Sequence, residues 1–414
     1  MTTNRLLAPF AGWLISPQWA ARVIAGAYDA KSPTERREIV EANPFSYLGV
    51  TRSADDLAED DQADDEELVR RGAETLTRIL ATDAFTPTGG PTLYAYRLTF
   101  AGHAQTGVVG ALAVDAFNDG RVLTHENVRP DRADLLARHL QEVGATSSPI
   151  TLTHRTNPEV ARILDDASQR APEVDHVVEE VRHQVWLLTE QETEEVCDQL
   201  DSAILYVTDG HHRSAAALVG ANTQPEPAFQ RTLAALFPDH ALRVEAFHRR
   251  VPDHAQRNES ELDDALRSVG HLVLCGTAEE ARPQHRRHVG IYHHGIWRQL
   301  TLPEPEATSA VERLDVELLR RTIVADVFGI DELVPHSGVD YVPAPSGIDE
   351  VRRRCDADGA IGFLMYPTTI DDLMSVADAG ELMPPKSSYV APKPRSGIFL
   401  RSLGTGAAAH LPAS

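Results

Sequence analysis

The stretch ILYVTDGHHRSAAALVG, residues 204–220, constrains the fold more than any other part of the chain. ILYVT is a short apolar, β-forming run suited to a buried strand, and SAAALV is a good helix former that stops at Gly220. Any fold must therefore place a helix N-terminus at the end of a buried strand. Free backbone N–H groups and a partial positive charge make such a junction favourable to an anion. Gly210 lets the backbone approach a phosphate closely, and Arg213 carries the fork to grip it with two hydrogen bonds. His211 and His212 belong to the same turn. As helix neighbours they point about a hundred degrees apart and make a poor shared clamp for one metal ion. The spacing of a Walker phosphate loop is absent. Asp209 has two readings, as a cap on the helix or as a magnesium ligand between phosphates.

Charge adds a requirement. The formal net charge is −23, which repels nucleic acid and anionic membrane, so an anionic substrate needs a local basic pocket or a metal ion. The segment MPPKSSYVAPKPRSGIF (383–399) holds Lys386, Lys393 and Arg395 with no acid among them. It reads either as a loop that closes over phosphates or as a rigid proline-rich strap packed on the surface. No run approaches the eighteen or so apolar residues of a membrane span, and no convincing signal-peptide cleavage site follows the N-terminus, so a cytosolic protein is expected. Cys197, Cys275 and Cys355 lie far apart and suggest neither a disulfide framework nor a zinc knuckle.

With 414 residues the chain has room for two or three domains. Helical spacing covers 19–42, and a strand-like piece is expected in NPFSYLGV after it. The nine carboxylates within Asp55–Glu67 read as a solvated linker or the exposed start of a helix over 66–82. TLYAYRLTF (92–100) and QTGVVGALAVDAF (105–117) read as a hairpin. Then come a helix from Ala133 to Glu142 stopped by Gly144, a strand in SPITLTH, and a helical stretch over 155–200 with a strand-like HQVWLL inside. Strands and helices alternate through the remainder, including a hairpin in VGIYHHGIWRQLTL. Its HHG falls where the turn should be, which argues against a metal site at His285, His288, His293 and His294. The class is α+β.

The order of an HE segment (THENVRPDR, 124–132), a helix, a strand with Pro-Ile, and a later strand ending in DGHHR resembles the ParB/sulfiredoxin superfamily, including its free-serine kinases. The resemblance implies a ParB/sulfiredoxin-like core with an insertion, flanked by additional α/β segments. It divides the chain into an N-terminal region 1–118, a nucleotide-binding core 119–240, and a C-terminal region 241–414 with the basic tail. SSPITL (147–152) corresponds to the intervening strand, and the insertion lies between it and ILYVT. The whole chain also resembles the bacterial domain-of-unknown-function 1015 family. The matching pieces are AYD (27–29), NPFSYL (43–48), LYAYR (93–97), QTG (105–107), HENVRPDR, DGHHR, LFPD (236–239), RLDV (313–316), YPTT (366–369) and the basic tail. GAYDA departs from the proline pair that usually precedes Tyr-Asp in that family, at Tyr28 and Asp29.

What the resemblance implies is a kinase that transfers a phosphoryl group to a small hydroxy amino acid, free L-serine, with Mg2+ and with ATP or ADP as donor. Glu126 becomes the base and His125 its catalytic neighbour. Asp209 is then catalytic and holds the metal, while Gly210, His211, His212 and Arg213 hold the nucleotide. Arg138, Lys386, Lys393 and Arg395 are additional phosphate ligands, and His139 is a further residue that can face the pocket. The alternative is a non-catalytic nucleotide-binding regulatory protein of the same superfamily. The superfamily's sulfinic-acid reductase needs a cysteine in the phosphate turn, where this chain has His211 and His212. Its DNA clamp needs a basic binding module, and no helix-turn-helix is evident. The expected partners are a nucleotide and a hydroxy amino acid, with neither nucleic acid nor membrane, and a homodimer is left open.

Overall fold

Leu205–Asp209 forms the strand expected at ILYVT, and His211–Thr223 forms the helix after it. They were located in a computed structural model that describes residues 5–26, 28, 31–51, 57, 61, 63–334 and 337–414. The chain divides into two units. One runs to Leu123, resumes from Val128 to Leu242, and takes in Pro392–Ser414. The other comprises Thr124–Asn127 and Arg243–Ala391. Both are discontinuous in sequence, whereas the reading above drew three consecutive regions.

A nine-stranded sheet organises the first unit among the described residues. Its strands are β1 (Leu7–Ala8), β2 (Tyr94–Phe100), β3 (His103–Ala113), β4 (Val122–Leu123), β5 (Ile150–His154), β6 (Val174–Val178), β7 (Val181–Leu187), β8 (Leu205–Asp209) and β9 (Arg231–Pro238). Their order is β4-β8-β5-β9-β3-β2-β7-β6, with β1 added on β3. β8 pairs in parallel with β4, Leu205 opposite Val122 and Tyr206 opposite Leu123. It runs antiparallel to β5, with a register shift between Val207 and Asp209.

Side-chain alternation gives this sheet two unlike faces. On one, Val108, Leu112, Leu152 and Leu236 meet Val160, Ile163 and Leu164 of α3 (Pro158–Ala167) and Val196, Cys197 and Leu200 of α4 (Glu190–Leu200). Each such side chain contributes about 1.5–3 kcal/mol when fully buried. The other face carries Tyr94, Tyr96, Gln105, Thr151 and Phe237, all buried. Phe399 of the C-terminal segment packs edge-on to Tyr94 and Tyr96 at 5.5 and 5.3 Å. Two other helices matter: α1 (Asp65–Leu80) and α2 (Pro130–Val143), the latter closed by Gly144 at φ 67°. The His211–Thr223 helix is α5.

In the second unit, β10 (Phe247–Val251), β11 (His271–Cys275), β12 (His288–His293), β13 (Ile296–Thr301), β14 (Asp340–Pro343) and β15 (Ile361–Leu364) form a sheet in the order β11-β13-β12-β15-β10-β14. The apolar side of α6 (Glu259–Arg267), Leu262 and Leu266, packs with Val251, Ile291, Leu300 and Phe363. His293 Nδ1 lies 2.9 Å from Glu259 Oε1 across the β12–β13 hairpin, whose turn His294-Gly295 has positive φ at both residues.

Three element readings are corrected. Residues 19–42 do not form one helix: Pro17–Val23 and Pro33–Ala42 are separate, the second opened by a Ser32/Glu35 capping box. In NPFSYLGV, Tyr47–Gly49 is a 3-10 turn rather than a strand. The stretch 155–200 contains the β6–β7 hairpin between two helices, not one strand inside a helix. That hairpin turns at Glu179 and Glu180, with φ 49° and 68°, so no glycine marked it. Of the acidic run, Asp65, Glu66 and Glu67 form the first turn of α1, where carboxylates suit the helix dipole. Asp55, Asp56, Glu59 and Asp60 lie outside the described residues, as do Ala27 and Asp29.

Candidate phosphate-binding site

The β8–α5 junction turns on a single glycine. Gly210 is the N-cap of α5 with φ 99° and ψ 31°, a left-handed conformation that glycine adopts without a Cβ clash. A Cβ there would also lie 2.9–3.0 Å from the Arg213 guanidinium, which folds back over the turn. No side chain caps the helix, so Asp209 does not fill the capping role. Ser214 donates from both its backbone N–H and its hydroxyl to the Gly210 carbonyl, at 2.9 and 3.2 Å.

Asp209 instead holds two cations. Lys393 Nζ donates to its Oδ1 at 2.7 Å, and Arg213 Nη2 donates to its Oδ2. Arg213 Nη1 reaches the Pro149 carbonyl at 2.6 Å, fixing the guanidinium between the turn and the start of β5. Burial alone would push the Asp209 carboxyl up; Lys393 and Arg213 outweigh it and hold the group well below the usual carboxylate range. The carboxylate is therefore ionised at neutral pH. Magnesium is bound through one or two carboxylates plus substrate phosphates. Asp209 would supply one such hard donor only once Lys393 and Arg213 had left it.

The histidines of the turn differ. His211 is buried at 4 % exposure, whereas His212 is half-buried and its Nε2 accepts the Arg129 backbone N–H at 3.3 Å. That contact ties the N-cap of α2 to the first turn of α5. It also sets the neutral tautomer of His212 with its proton on Nδ1.

The basic tail is a strap over the polar face of the sheet. Ser147 Oγ donates to the Phe399 carbonyl and accepts the Gly397 N–H, while Ser148 Oγ and Ser396 Oγ share a hydrogen bond at 2.5 Å. Gln105 Nε2 donates to the Pro392 carbonyl at 2.8 Å. Phe399–Ser402 pairs with Trp13–Ile15 and with Ala145–Thr146 as a short strand. This pinned course brings Lys393 to Asp209 and buries Arg395 at 7 % exposure, 3.5 Å from Glu179.

The other residues singled out in the sequence each have surroundings of their own. Arg138 is exposed on α2, and its guanidinium is 3.7 Å from Asp65 of α1. His139 Nε2 donates to the Val50 carbonyl at 2.6 Å, and burial lowers its pKa, so it packs as a neutral ring. Lys386 belongs to the second unit, exposed, with Nζ 5.2 Å from the centre of the Phe247 ring. His125 and Glu126 also fall in that unit, where the Met383 N–H donates to the His125 carbonyl at 2.8 Å. Sequence reasoning missed the pairing of Lys393 with Asp209 and gave no role to Gln105 or Thr151. QTG had been quoted as a motif, and a buried glutamine on a strand was the available signal.

The model of a family described as "Protein of unknown function (DUF1015)" matches residues 7–317. The chain belongs to this family. The match ends inside the second unit of the DUF1015 chain, short of the basic tail. No curated protein matches it. Among solved structures, a free serine kinase mutant in complex with ADP is 12 % identical, covering 71 % of this chain and 92 % of its own, with TM-score 0.37. SbnI with a C-terminal truncation, from Staphylococcus aureus, is 12 % identical over 68 % and 82 %, with TM-score 0.36. A conserved hypothetical protein from Pyrococcus furiosus is 12 % identical over 69 % and 93 %, with TM-score 0.33.

Proposed function

We propose that this DUF1015 protein is a phosphotransferase, built on a ParB/sulfiredoxin-like core, that moves a phosphoryl group from ATP or ADP to the hydroxyl of free L-serine, giving O-phospho-L-serine. The observation that carries the reading is the group at the start of α5: a glycine-turned helix N-terminus with Lys393 and Arg213 both held on Asp209. Two cations beside a helix N-terminus suit a polyphosphate, and on an acidic chain they supply the local positive field such a ligand needs.

In this reading the nucleotide phosphates take the Gly210–Arg213 turn and exchange with Asp209 for Arg213 and Lys393. Asp209 would be the residue to hold magnesium, and the ion would supply neutralisation of phosphate charge. Glu126 takes the proton from the serine hydroxyl as its oxygen bonds to the terminal phosphorus, and the bond from phosphorus to the bridging oxygen breaks to release the shortened nucleotide. Chain connection supports Glu126 in this role. Leu123, three residues before it, pairs with Tyr206, three residues before Asp209, on parallel strands that leave the sheet in the same direction. Arg129, three residues after Glu126, is hydrogen-bonded to His212 of the turn.

The test is to incubate the pure protein with Mg2+, each of ATP, ADP and pyrophosphate, and a panel of hydroxy amino acids, and to seek a phosphorylated product by mass spectrometry. Phosphoserine that appears with a nucleotide donor supports the reading; no phosphorylated product from any pair contradicts it. Glu126→Gln should lower turnover by about a hundredfold or more while nucleotide affinity is retained. A fully active variant would remove Glu126 as base. Nucleotide binding without turnover in the parent protein would favour the nucleotide-binding regulatory alternative.

A further inference from the structure

Arg395 is the most under-satisfied buried cation of the first unit. It is 7 % exposed, and its Nε and Nη1 find no hydrogen-bond partner among the described residues. Its one ion pair among the described residues is long, Nη2 to Glu179 Oε2 at 3.5 Å, and the other oxygen of Glu179 is taken by Lys31 Nζ at 2.6 Å. Unpaired N–H donors on a buried guanidinium are costly, and such groups in a native fold mark a place where a ligand, an ion or ordered water accepts from them.

The surroundings define what that ligand is. The guanidinium has two donor edges, Nε/Nη2 and Nη1/Nη2, and an oxyanion that takes either edge bonds one open donor and competes with Glu179 for Nη2. His183 lies close by with its Nδ1 2.8 Å from the Tyr96 hydroxyl, and burial, with Arg395 next, holds it neutral. Arg395 is thus one cationic group with open donors beside a tyrosine hydroxyl and a neutral imidazole, surroundings that suit a monoanion better than a polyphosphate. Glu179 is already the kind of group this arginine accepts: a carboxylate brought in on the β6–β7 turn at φ 49°, against Gly26, where a Cβ would lie 2.4 Å from it. Position adds the link to chemistry. Arg395 follows Lys393 by two residues, so their Cα atoms are at most about 7 Å apart, and Lys393 sits on Asp209 of the phosphate turn.

Resting on the phosphotransferase reading above, we infer that Arg395 is the subsite for the carboxylate of the acceptor amino acid, with Glu179 as the internal carboxylate that competes for it. The protein would then select hydroxy acids over hydroxy amides and simple amino alcohols, because only a carboxylate accepts with both oxygens along one edge of the guanidinium.

Calorimetric binding tests this without requiring turnover. L-Serine, L-serinamide and ethanolamine are titrated into the full-length protein and into Arg395→Lys and Glu179→Gln, with ADP titrated in parallel. The expected results are that serine binds at least about tenfold tighter than serinamide, that Arg395→Lys abolishes this preference while ADP affinity is kept, and that Glu179→Gln tightens serine. Equal binding of serine and serinamide, no serine binding at all, or an unchanged preference in Arg395→Lys would overturn the subsite. Loss of ADP affinity in Arg395→Lys in place of the preference would assign the arginine to the nucleotide phosphates and overturn it equally. Failure of the phosphotransferase reading is separate: serine binds through Arg395, yet no donor yields a phosphorylated product.

Discussion

Asp209 carries one cation on each oxygen, and that balance explains both its ionisation and its predicted response to change. Removing one partner leaves the half-buried carboxylate opposed by burial and supported by a single guanidinium. In Lys393→Met the Asp209 pKa should therefore rise toward the ordinary carboxylate range, checked by NMR titration of the side-chain carboxyl; an unchanged pKa would mean that Lys393 does not act on it. Gly210→Ala forces a left-handed φ of 99° on a residue with a Cβ and pushes that Cβ into the Arg213 guanidinium. A loss of about 1–2 kcal/mol in urea unfolding is expected, with weaker nucleotide binding because Arg213 is displaced. The turn itself was legible in the sequence, since a glycine between an apolar strand and an alanine-rich helix marks a strand-to-helix junction that needs a positive φ. The partner Lys393 was not, because 184 residues separate it from Asp209 and only the strap's path over the sheet brings it there.

Some elements carry strong local signals and others carry none, and α4 has such a signal although the sequence reading ran it into one helical stretch over 155–200. α4 begins with Thr189 and Glu192 bonding each other's backbone N–H, a capping box that belongs wholly to its own four residues. Thr189→Ala should lower stability by about 1 kcal/mol, read as a drop in melting temperature. α2 ends at Gly144 as expected, yet the reason for glycine exceeds its φ: a Cβ would lie 1.6 Å from the Thr405 carbonyl, and the Leu403 N–H donates to Gly144 itself. The helix end is thus also a docking point for the C-terminal segment, which no local pattern announces. The β6–β7 hairpin hides for the opposite reason, its turn being two glutamates held in a conformation that usually demands glycine or asparagine. NPFSYLGV has the apolar content of a strand but spends it burying Tyr47 and Leu48 in a 3-10 turn.

At the scale of the molecule, buried histidines set how stability follows pH. Burial first, then neighbouring arginines, lower His183 to about 3 and His248 to about 4 from the ordinary 6.5. Between about pH 4 and 6.5 the unfolded chain takes up protons that the folded one refuses, so stability falls on acidification by up to about 1.4 kcal/mol per pH unit for each ring. Asp209 acts in the same direction at lower pH, its contribution lost as pH falls below the ordinary carboxylate range. Urea midpoints measured from pH 6.5 to 4.5 should decline, and less steeply in His183→Gln; equal slopes would show that His183 is protonated in the fold. The phosphate turn remains the claim on which the functional account stands. Calorimetry of ADP with Mg2+ against the parent protein and Arg213→Ala tests it most directly. Saturable binding to the parent, weakened about tenfold or more by the substitution, is the predicted result, whereas unchanged affinity in Arg213→Ala, or no binding to the parent, would contradict it.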